Sequence, residues 1–373
     1  MKKRIAIIGA SYFQLPLIET AKEMGYETHV FAWAANDVGE EAADYFYPIS
    51  IVEKEKIGDL CRKIGICGIC SIASDLAMLT VNYVAQELNL VGNTITSTLK
   101  STNKYLMRKA FKENGDPSVD FILVNEKTEL IKYREQLLFP VIVKPTDRSG
   151  SRGICEVFKY DDLAAAVKNA INESFEKKAL IESFIEGKEY SVETISYKGV
   201  HRILAVTSKY TTGSPHYIEV LQREPALIEN EYEDRIKRII EHALKTLEIE
   251  NGASHSEIKI DENGNIRIIE IGARMGGDCI GSDLVPYTTG YDYIKAVIEI
   301  ACGEKPSLEI EKKEIVRSAE VRFILTGGDL DEFNRMKNEE PERIIRIVDD
   351  KHLDLVGKTT SSSNRAGCYI IRL

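Results

Sequence analysis

The chain has 373 residues, of which 43% are hydrophobic and 29% are charged, a composition typical of a globular protein with two or three domains. Its formal net charge of −10 argues against general binding to nucleic acid or anionic membranes, because no basic excess is present to neutralise phosphates. The sequence contains no apolar run of about 18 residues, the length that a membrane helix needs. We therefore expect a cytoplasmic protein that acts on small molecules.

The first part of the chain alternates between strand and helix patterns. Strands are predicted at Arg4–Gly9, Glu27–Trp33 and Ile64–Ala73, and helices at Pro16–Met24 and Leu76–Glu87. This βαβ alternation predicts a parallel sheet. The turn at Gly9 lacks the full GxGxxG spacing, so a dinucleotide site has little support. We expect a Rossmann-like domain that shapes a substrate pocket.

The strongest chemical signal lies in residues 256–278, SEIKIDENGNIRIIEIGARMGGD. Asn263-Gly264 between two apolar-rich runs is typical of a two-residue hairpin loop. Counting outward from this loop places Ile260 opposite Arg267 and Glu257 opposite Glu270. Directly opposed carboxylates repel each other unless a cation lies between them, and Mg²⁺ prefers oxygen ligands of this kind. Glu257 and Glu270 are therefore candidate metal ligands.

An ordinary interpretation of the same hairpin stays open. Glutamates on an exposed strand face are common, and a slip of one residue would place Glu257 and Glu270 on opposite faces. Arg274 follows Glu270 by four residues, in a glycine-bounded turn. From that turn its side chain would reach the same ligand as the two glutamates.

Two further segments favour contact with an anion or a flat base. The strand Phe139–Lys144 runs into a loop at 146–153 that holds glycines, serines and arginines, where backbone N–H groups can approach an anion closely. No GK[ST] follows, so this loop is not a P-loop, and a flexible hairpin tip is the alternative. The segment LIESFIEGKE, residues 180–189, offers backbone groups and apolar side chains to a base, or it is a hairpin with exposed acids.

The order of these elements resembles the ATP-grasp superfamily of carboxylate-amine ligases. The resemblance covers roughly residues 1 to 305 and rests on Lys104, Lys144-Pro145, the glycine and arginine loop, IESFIEGKE, Glu257, Glu270 and Arg274. It implies α/β and α+β architecture with a Rossmann-like domain at 1–98 and an ATP-grasp domain at 99–305. Two α+β lobes of that domain clasp ATP, the smaller lid lobe spanning about 117–187, and a small α+β lobe follows at 306–373. It also implies ATP and Mg²⁺ as cofactors, with Mn²⁺ as a substitute, and a homodimer.

The resemblance also assigns roles to individual residues. Lys104 and Lys144 would bind ATP phosphates beneath a mobile lid formed by Arg148, Ser149, Gly150, Ser151 and Gly153. The adenine would be read by Glu182, Ser183, Phe184 and Ile185, and the ribose by Glu189. Glu257 and Glu270 would hold magnesium, while Arg274 and Lys144 would stabilise the charge that develops during catalysis. Gly272 stands where many members have asparagine.

The segment 207–225 and the GARMGGD turn resemble the branch of L-amino-acid ligases, which form dipeptides. In that branch an acid matching Glu219 holds an ammonium group, and Gln222 stands where a histidine is common. His216, Gly276, Gly277 and Asp278 would shape the same pocket, whereas Asn364–Gly367 is predicted to be a turn outside any site.

The implied function is amide or peptide bond formation between a small carboxylate and an amine, through an acyl phosphate. The alternatives are a ligase acting on bicarbonate or a nucleotide precursor, and a nucleotide-binding regulator without turnover.

Overall fold

The structure is a computed structural model that describes residues 2–214, 217–309 and 317–373. His216, a predicted substrate contact, lies outside the described residues. Three sheets organise the rest: a four-stranded N-terminal sheet, a second four-stranded sheet and an eight-stranded sheet. Across these described ranges, no helix is long and apolar enough to span a membrane.

The N-terminal sheet is fully parallel, as the βαβ alternation predicts, and has the order β3-β2-β1-β4. Its central strand β1 is buried on both faces, with Ile5 and Ile7 in one core and Ala6 and Ile8 in another. The short strand β3 was not predicted, because its aromatic residues are half-exposed and follow no clear alternation. The elements are β1 (Arg4–Ile8), α1 (Leu15–Glu23), β2 (Glu27–Ala32), α2 (Val38–Ala42), β3 (Tyr45–Pro48), α3 (Lys54–Ile64), β4 (Gly68–Cys70) and α4 (Asp75–Glu87).

Two helices, α5 (Ile95–Thr102) and α6 (Lys104–Asn114), lead into the second sheet. The Asn103 side chain caps α6 by accepting hydrogen bonds from the backbone N–H groups of Tyr105 and Leu106, and Gly115 ends it with a φ of 76°. The second sheet has the order β5-β8-β6-β7, and α7 covers one of its faces. Its elements are β5 (Phe121–Asn125), β6 (Val141–Pro145), β7 (Cys155–Val157), α7 (Tyr160–Glu173) and β8 (Lys178–Ser183).

The third sheet is antiparallel throughout, in the order β13-β12-β9-β10-β11-β14-β16-β15. The C-terminal strands therefore extend this sheet by pairing β14 with β11, rather than only packing on it as a separate lobe. The elements are β9 (Lys188–Tyr197), β10 (Val200–Thr211), β11 (Glu219–Glu224), α8 (Asn230–Thr246), β12 (Gly252–Ile260), β13 (Ile266–Gly272), α9 (Val285–Thr289), α10 (Tyr293–Ala301), β14 (Ala319–Ile324), α11 (Gly327–Glu339), β15 (Ile344–Asp349) and β16 (Gly367–Arg372).

The hairpin between β12 and β13 corrects one sequence prediction. Its last pair is Ile260 with Ile266, not with Arg267, and within the loop only Gly264 has a positive φ. The Asp261 carboxylate accepts backbone hydrogen bonds across this loop, so the predicted two-residue turn is wrong. A register shift next to Glu257 compensates for the longer loop and places Glu257 opposite Glu270, as predicted.

Candidate active site

The opposed glutamates share one face of the large sheet, and each has a lysine partner. Glu257 accepts a hydrogen bond from Lys209 Nζ at 2.5 Å, and Glu270 accepts one from Lys104 Nζ at 3.0 Å. Burial alone would raise the pKa of Glu257, but Lys209 and His255 hold it well below its ordinary value. An ionised carboxylate beside a second one fits a hard cation such as Mg²⁺.

These two carboxylates do not form a complete metal cage. Within the described ranges, no group of three or more histidine, cysteine, aspartate or glutamate side chains is arranged to hold a metal ion. A magnesium ion held by Glu257 and Glu270 would therefore take its other oxygens from water or phosphate, which is its usual preference.

A buried triad lies at the end of β8. Glu182 Oε1 accepts a hydrogen bond from Arg108 Nε at 2.8 Å, and Oε2 accepts one from Arg108 Nη2 at 3.2 Å. Lys144 Nζ lies 2.7 Å from the same Oε2. Burial raises the pKa of Glu182, but the two cations outweigh it and lower the pKa to about 2. The Glu182 side chain thus fixes Lys144, which leaves backbone groups of the following residues to meet a base.

Arg108 was not predicted as part of the site. It follows Lys104 by four residues on α6, and this spacing places both side chains on one helix face. That spacing was the available sequence signal.

An open cavity of about 710 Å³, a volume that includes its solvent-filled mouth, lies between the second and third sheets. It brings together most of the residues predicted to bind ATP. Its lining includes Lys144, Ser151, Glu182, Ser183, Phe184, Ile185, Glu189, Glu219 and Glu257, with apolar walls from Ile142, Ile154 and Ile269.

Lys209 lies at the centre of this cavity and was missed by the sequence reasoning. Its ammonium group lies 2.5 Å from Glu257, 3.0 Å from Glu189 and 4.0 Å from Glu219. Burial would lower the pKa of Lys209, but these three carboxylates raise it well above its ordinary value. A single buried lysine therefore joins the metal-binding, ribose-binding and substrate-binding acids predicted from the sequence.

A second cavity, of about 1270 Å³, opens between the N-terminal domain and the lid loop. Lys104 and Glu270 line it, so it continues from the metal pair. Asp75, Leu76 and Leu79 form the opposite wall, and Arg148, Ser149 and Arg152 come from the loop. In that loop Gly150, Ser151 and Gly153 all have positive φ, a conformation that favours glycine.

Arg274 lies at the junction of the N-terminal domain and the large sheet. Its Nε and Nη2 donate to the two oxygens of Asp75 at 2.8 and 3.2 Å, a bidentate pair that orients the guanidinium group. A Cβ atom at Gly272 would lie 2.7 Å from Asp75 Oδ1. The Asp75–Arg274 pair therefore fills the space that a side chain at position 272 would need.

Two of the predicted substrate contacts, Gly276 and Gln222, are closely packed by their neighbours. Gly276 packs so closely on Glu193 that a Cβ atom would lie 2.5 Å from its carboxylate, and Gly276 N–H donates to Glu193 at 3.0 Å. Gln222 is only 1% exposed. It pairs with Lys209 across the β10–β11 ladder and lines neither of the two cavities described above. Gly277 also lines neither cavity.

The C-terminal strands bring unpredicted residues to the substrate end of the cleft. Glu219 accepts a hydrogen bond from Ser362 Oγ, and Arg365 Nη1 lies 3.9 Å from Glu219 Oε2. Arg365 also donates to both oxygens of Asp278. Arg365, in the segment Asn364–Gly367 that the sequence favours as a turn rather than a site, thus lies beside the predicted substrate contacts Glu219 and Asp278.

The chain is similar to proteins of known family. Residues 137–283 match the family described as the ATP-grasp domain. Alanine--anticapsin ligase of Bacillus subtilis is 23% identical over 306 residues, covering 72% of this chain and 63% of that protein. The L-arginine-specific L-amino acid ligase of Bacillus subtilis is 25% identical over 303 residues, which cover 78% of this chain and 71% of that protein.

The solved structure of L-amino acid ligase from Bacillus licheniformis has a TM-score of 0.81 at 23% identity, and the match covers 100% of this chain and 93% of that one. The identity is low, so this similarity establishes the fold alone. The chain spans between 55% and 71% of the length of the first three curated relatives. The match to the ATP-grasp domain is therefore established for residues 137–283 of the chain.

Proposed function

We propose that this protein is an ATP-dependent ligase that activates a small carboxylate as an acyl phosphate and joins it to an amine, with an amino acid as the substrate at Glu219. The observation that carries the proposal is the opposition of Glu257 and Glu270 on one sheet face, beside Lys104 and at the edge of the 710 Å³ cavity. The names of the two Bacillus subtilis relatives, both amino-acid ligases, support the choice of substrate class.

Each residue of the nucleotide half has a defined part in this proposal. Lys104 and Lys144 bind ATP phosphates, and backbone groups of residues 183–185 contact adenine while Glu189 contacts ribose. Glu257 and Glu270 hold Mg²⁺, for which Mn²⁺ substitutes. When bound, the metal neutralises phosphate charge and orients the triphosphate. Glu182 keeps Lys144 in place through the buried triad.

The chemistry has two steps. A substrate carboxylate oxygen attacks the γ-phosphorus of ATP, which forms an acyl phosphate and releases ADP. The amine nitrogen then attacks the acyl carbon and loses a proton, and phosphate leaves. Negative charge gathers on the transferring oxygens in both steps, and the fixed cations Lys144 and Arg274 stabilise it without reorganising.

The lid loop at 148–153 protects the acyl phosphate. Water would hydrolyse this intermediate, so the loop must exclude it while the amine enters. The 1270 Å³ cavity between this loop and the N-terminal domain provides the entry path for the second substrate. We further propose that the enzyme works in the cytoplasm as a homodimer.

The test is release of ADP and phosphate from Mg²⁺-ATP in the presence of single amino acids, all their pairs, bicarbonate and small dicarboxylates, followed by mass spectrometry. We expect ADP release that depends on an amino acid, and a condensed product with the mass of the two substrates minus water. ADP release with bicarbonate alone would replace this function with a bicarbonate-dependent ligase. Tight ATP binding without ADP release across the panel would indicate a regulator.

A further inference from the structure

Polar side chains from three distant segments meet at the substrate end of the cleft. Glu219 begins β11, Asp278 follows the glycine turn after β13, and Ser362 and Arg365 precede β16. Arg365 is separated from Asp278 by 87 positions, and Ser362 from Glu219 by 143. The pairing of β14 with β11 brings these segments together.

Arg365 is held from two sides. Its Nη1 donates to Asp278 Oδ2 at 3.0 Å and its Nη2 donates to Asp278 Oδ1. The guanidinium group also lies 3.6 Å from the centre of the Phe323 ring, a cation–π arrangement. Only 6% of the Arg365 side chain is exposed, so it acts on a ligand through the carboxylates that it holds.

Of the two carboxylates beside Arg365, Glu219 lines the 710 Å³ cavity, and Asp278 is partly exposed next to it without lining either cavity. The side chains of Glu219 and Asp278 are 16% and 18% exposed. Asp278 has a φ of 51°, a left-handed conformation that aspartate tolerates better than most residues. Tyr12 of the N-terminal domain is near both residues: burial and the Asp278 carboxylate raise the pKa of Tyr12, and Arg365 opposes this rise.

Glu219, Asp278 and Arg365 together carry a net charge of −1. Glu219 and Asp278 each contribute one negative charge, and Arg365 contributes one positive charge. The Lys209 ammonium group is nearer to Glu257 and Glu189 than to Glu219. Of these three carboxylates, Glu219 is therefore the one whose negative charge Lys209 neutralises least. A site with one uncompensated carboxylate suits one ammonium group. A second positive group on the substrate would be repelled by the positive charge of Arg365.

We propose that Arg365 is a specificity-positioning residue that neutralises Asp278, so that the site selects amino acids with uncharged side chains over amino acids with a second positive charge. This inference rests on the proposed function. It adds a residue from the C-terminal strands to the substrate site and names the substrate class that the site accepts.

The test compares Arg365→Met with the double variant Arg365→Met/Asp278→Asn. Methionine keeps apolar contact with Phe323 but leaves two negative charges, while asparagine restores a single one. We expect R365M to raise the ratio of kcat/KM for lysine to that for alanine by about tenfold or more, since one charge in a partly buried site is worth at least that factor. The double variant should return the ratio to within about threefold of the wild type, and KM for ATP should stay constant in all three proteins.

Arg365→Lys separates charge from geometry. It keeps the positive charge and loses the two-pronged contact, so affinity for both amino acids should fall while the lysine-to-alanine ratio stays at the wild-type value. Arg343→Met is the matched control, because Arg343 belongs to the same C-terminal region and pairs with Glu340. A shift of the ratio in R365K equal to that in R365M, or no return in the double variant, would overturn the inference.

A binding measurement keeps this test separate from the proposed function. Absence of ADP release from the wild type with every amino acid would reject the ligase, but not the charge balance at Arg365. Thermal shifts produced by alanine and lysine are therefore measured on the wild type, R365M, the double variant and R365K, with Arg343→Met as the control. Equal shifts for both amino acids in the wild type and in R365M would overturn the inference even where turnover is absent.

Discussion

Glu182 in the nucleotide half of the cleft and Glu224 at the far end of β11 are both buried, but their pKa values are shifted in opposite directions. In the nucleotide half, Glu182 is surrounded by the cations Arg108 and Lys144. Glu224 lies outside the two cleft cavities and is 0% exposed. Among the described residues its hydrogen-bond partners are hydroxyl groups, Thr207 Oγ1 at 2.7 Å and Thr288 Oγ1 at 2.5 Å. Burial raises the pKa of Glu224 to about 8, whereas that of Glu182 is lowered to about 2.

Hydrogen-bond geometry supports the neutral form of Glu224. Thr288 Oγ1 has one proton but two acceptors within reach, Glu224 Oε1 at 2.5 Å and the Leu284 carbonyl oxygen at 3.0 Å. If the proton goes to Leu284, the bond between Thr288 and Glu224 needs a donor on Glu224. A protonated carboxyl group can donate that bond. Two buried glutamates thus differ in charge near pH 7: Glu182 is negative and Glu224 is neutral. The difference comes from their partners, which are cations for Glu182 and hydroxyl groups for Glu224.

The largest expected effect is on the metal pair in the nucleotide half. Glu270→Gln should lower kcat by about a thousandfold or more, because loss of one ligand charge removes electrostatic stabilisation that is worth about 4 kcal/mol in such sites. Steady-state ADP release at saturating Mg²⁺ measures it. Glu262→Gln is the control, since Glu262 is exposed at the tip of the same hairpin. Wild-type kcat in Glu270→Gln would remove Glu270 from the metal site.

The second prediction concerns the Glu182 triad. Glu182→Gln leaves Arg108 and Lys144 as buried cations without a counter-charge, and breaking a buried ion pair in this way costs about 3–5 kcal/mol. Urea denaturation should show a loss of unfolding free energy of that size. Glu186→Gln, at an exposed position in the following loop, should leave the midpoint unchanged. A loss below about 1 kcal/mol would mean that water reaches the triad.

The sequence predicted the nucleotide half better than the substrate half, for a physical reason. Glu257 and Glu270 lie on strands joined by a short loop, and side chains repeat every second residue along a strand. Their pairing was therefore predictable even though the loop geometry was wrong and a register shift had to compensate.

The sequence did not predict the contacts of three other residues, Arg365, Lys209 and Glu224. Their partners lie on strands and helices that are distant in sequence, and no local period reveals such contacts. A single sequence showed Glu219 through its family resemblance, but it did not show that Arg365 and Ser362 lie beside it.

The third prediction uses the contrast between the two glutamates. Since the folded-state pKa of Glu224 lies above its unfolded value, the folded protein binds the extra proton, and wild-type stability should fall by about 1 kcal/mol per pH unit between about pH 5 and 8. Glu224→Gln keeps the hydrogen bonds without titrating. Its unfolding free energy should match the wild type near pH 5 and exceed it near pH 9. Parallel pH profiles for both proteins would show that Glu224 is ionised in the fold.

The smallest effect is expected at Glu219. Its side chain is partly exposed, and the neighbouring Lys209, Arg365 and Ser362 reduce the effect of removing one charge. Glu219→Gln should raise KM for the amino-acid substrate by about 10- to 100-fold, the range for a charge-assisted hydrogen bond, and leave KM for ATP within about threefold. Initial-rate kinetics with each substrate varied in turn make this measurement, with the exposed Glu231→Gln as the control. Equal rises in both KM values would mean that Glu219 acts through Lys209, which also contacts Glu189 and Glu257. The two halves of the cleft would then share one charge network rather than divide the nucleotide from the amino acid.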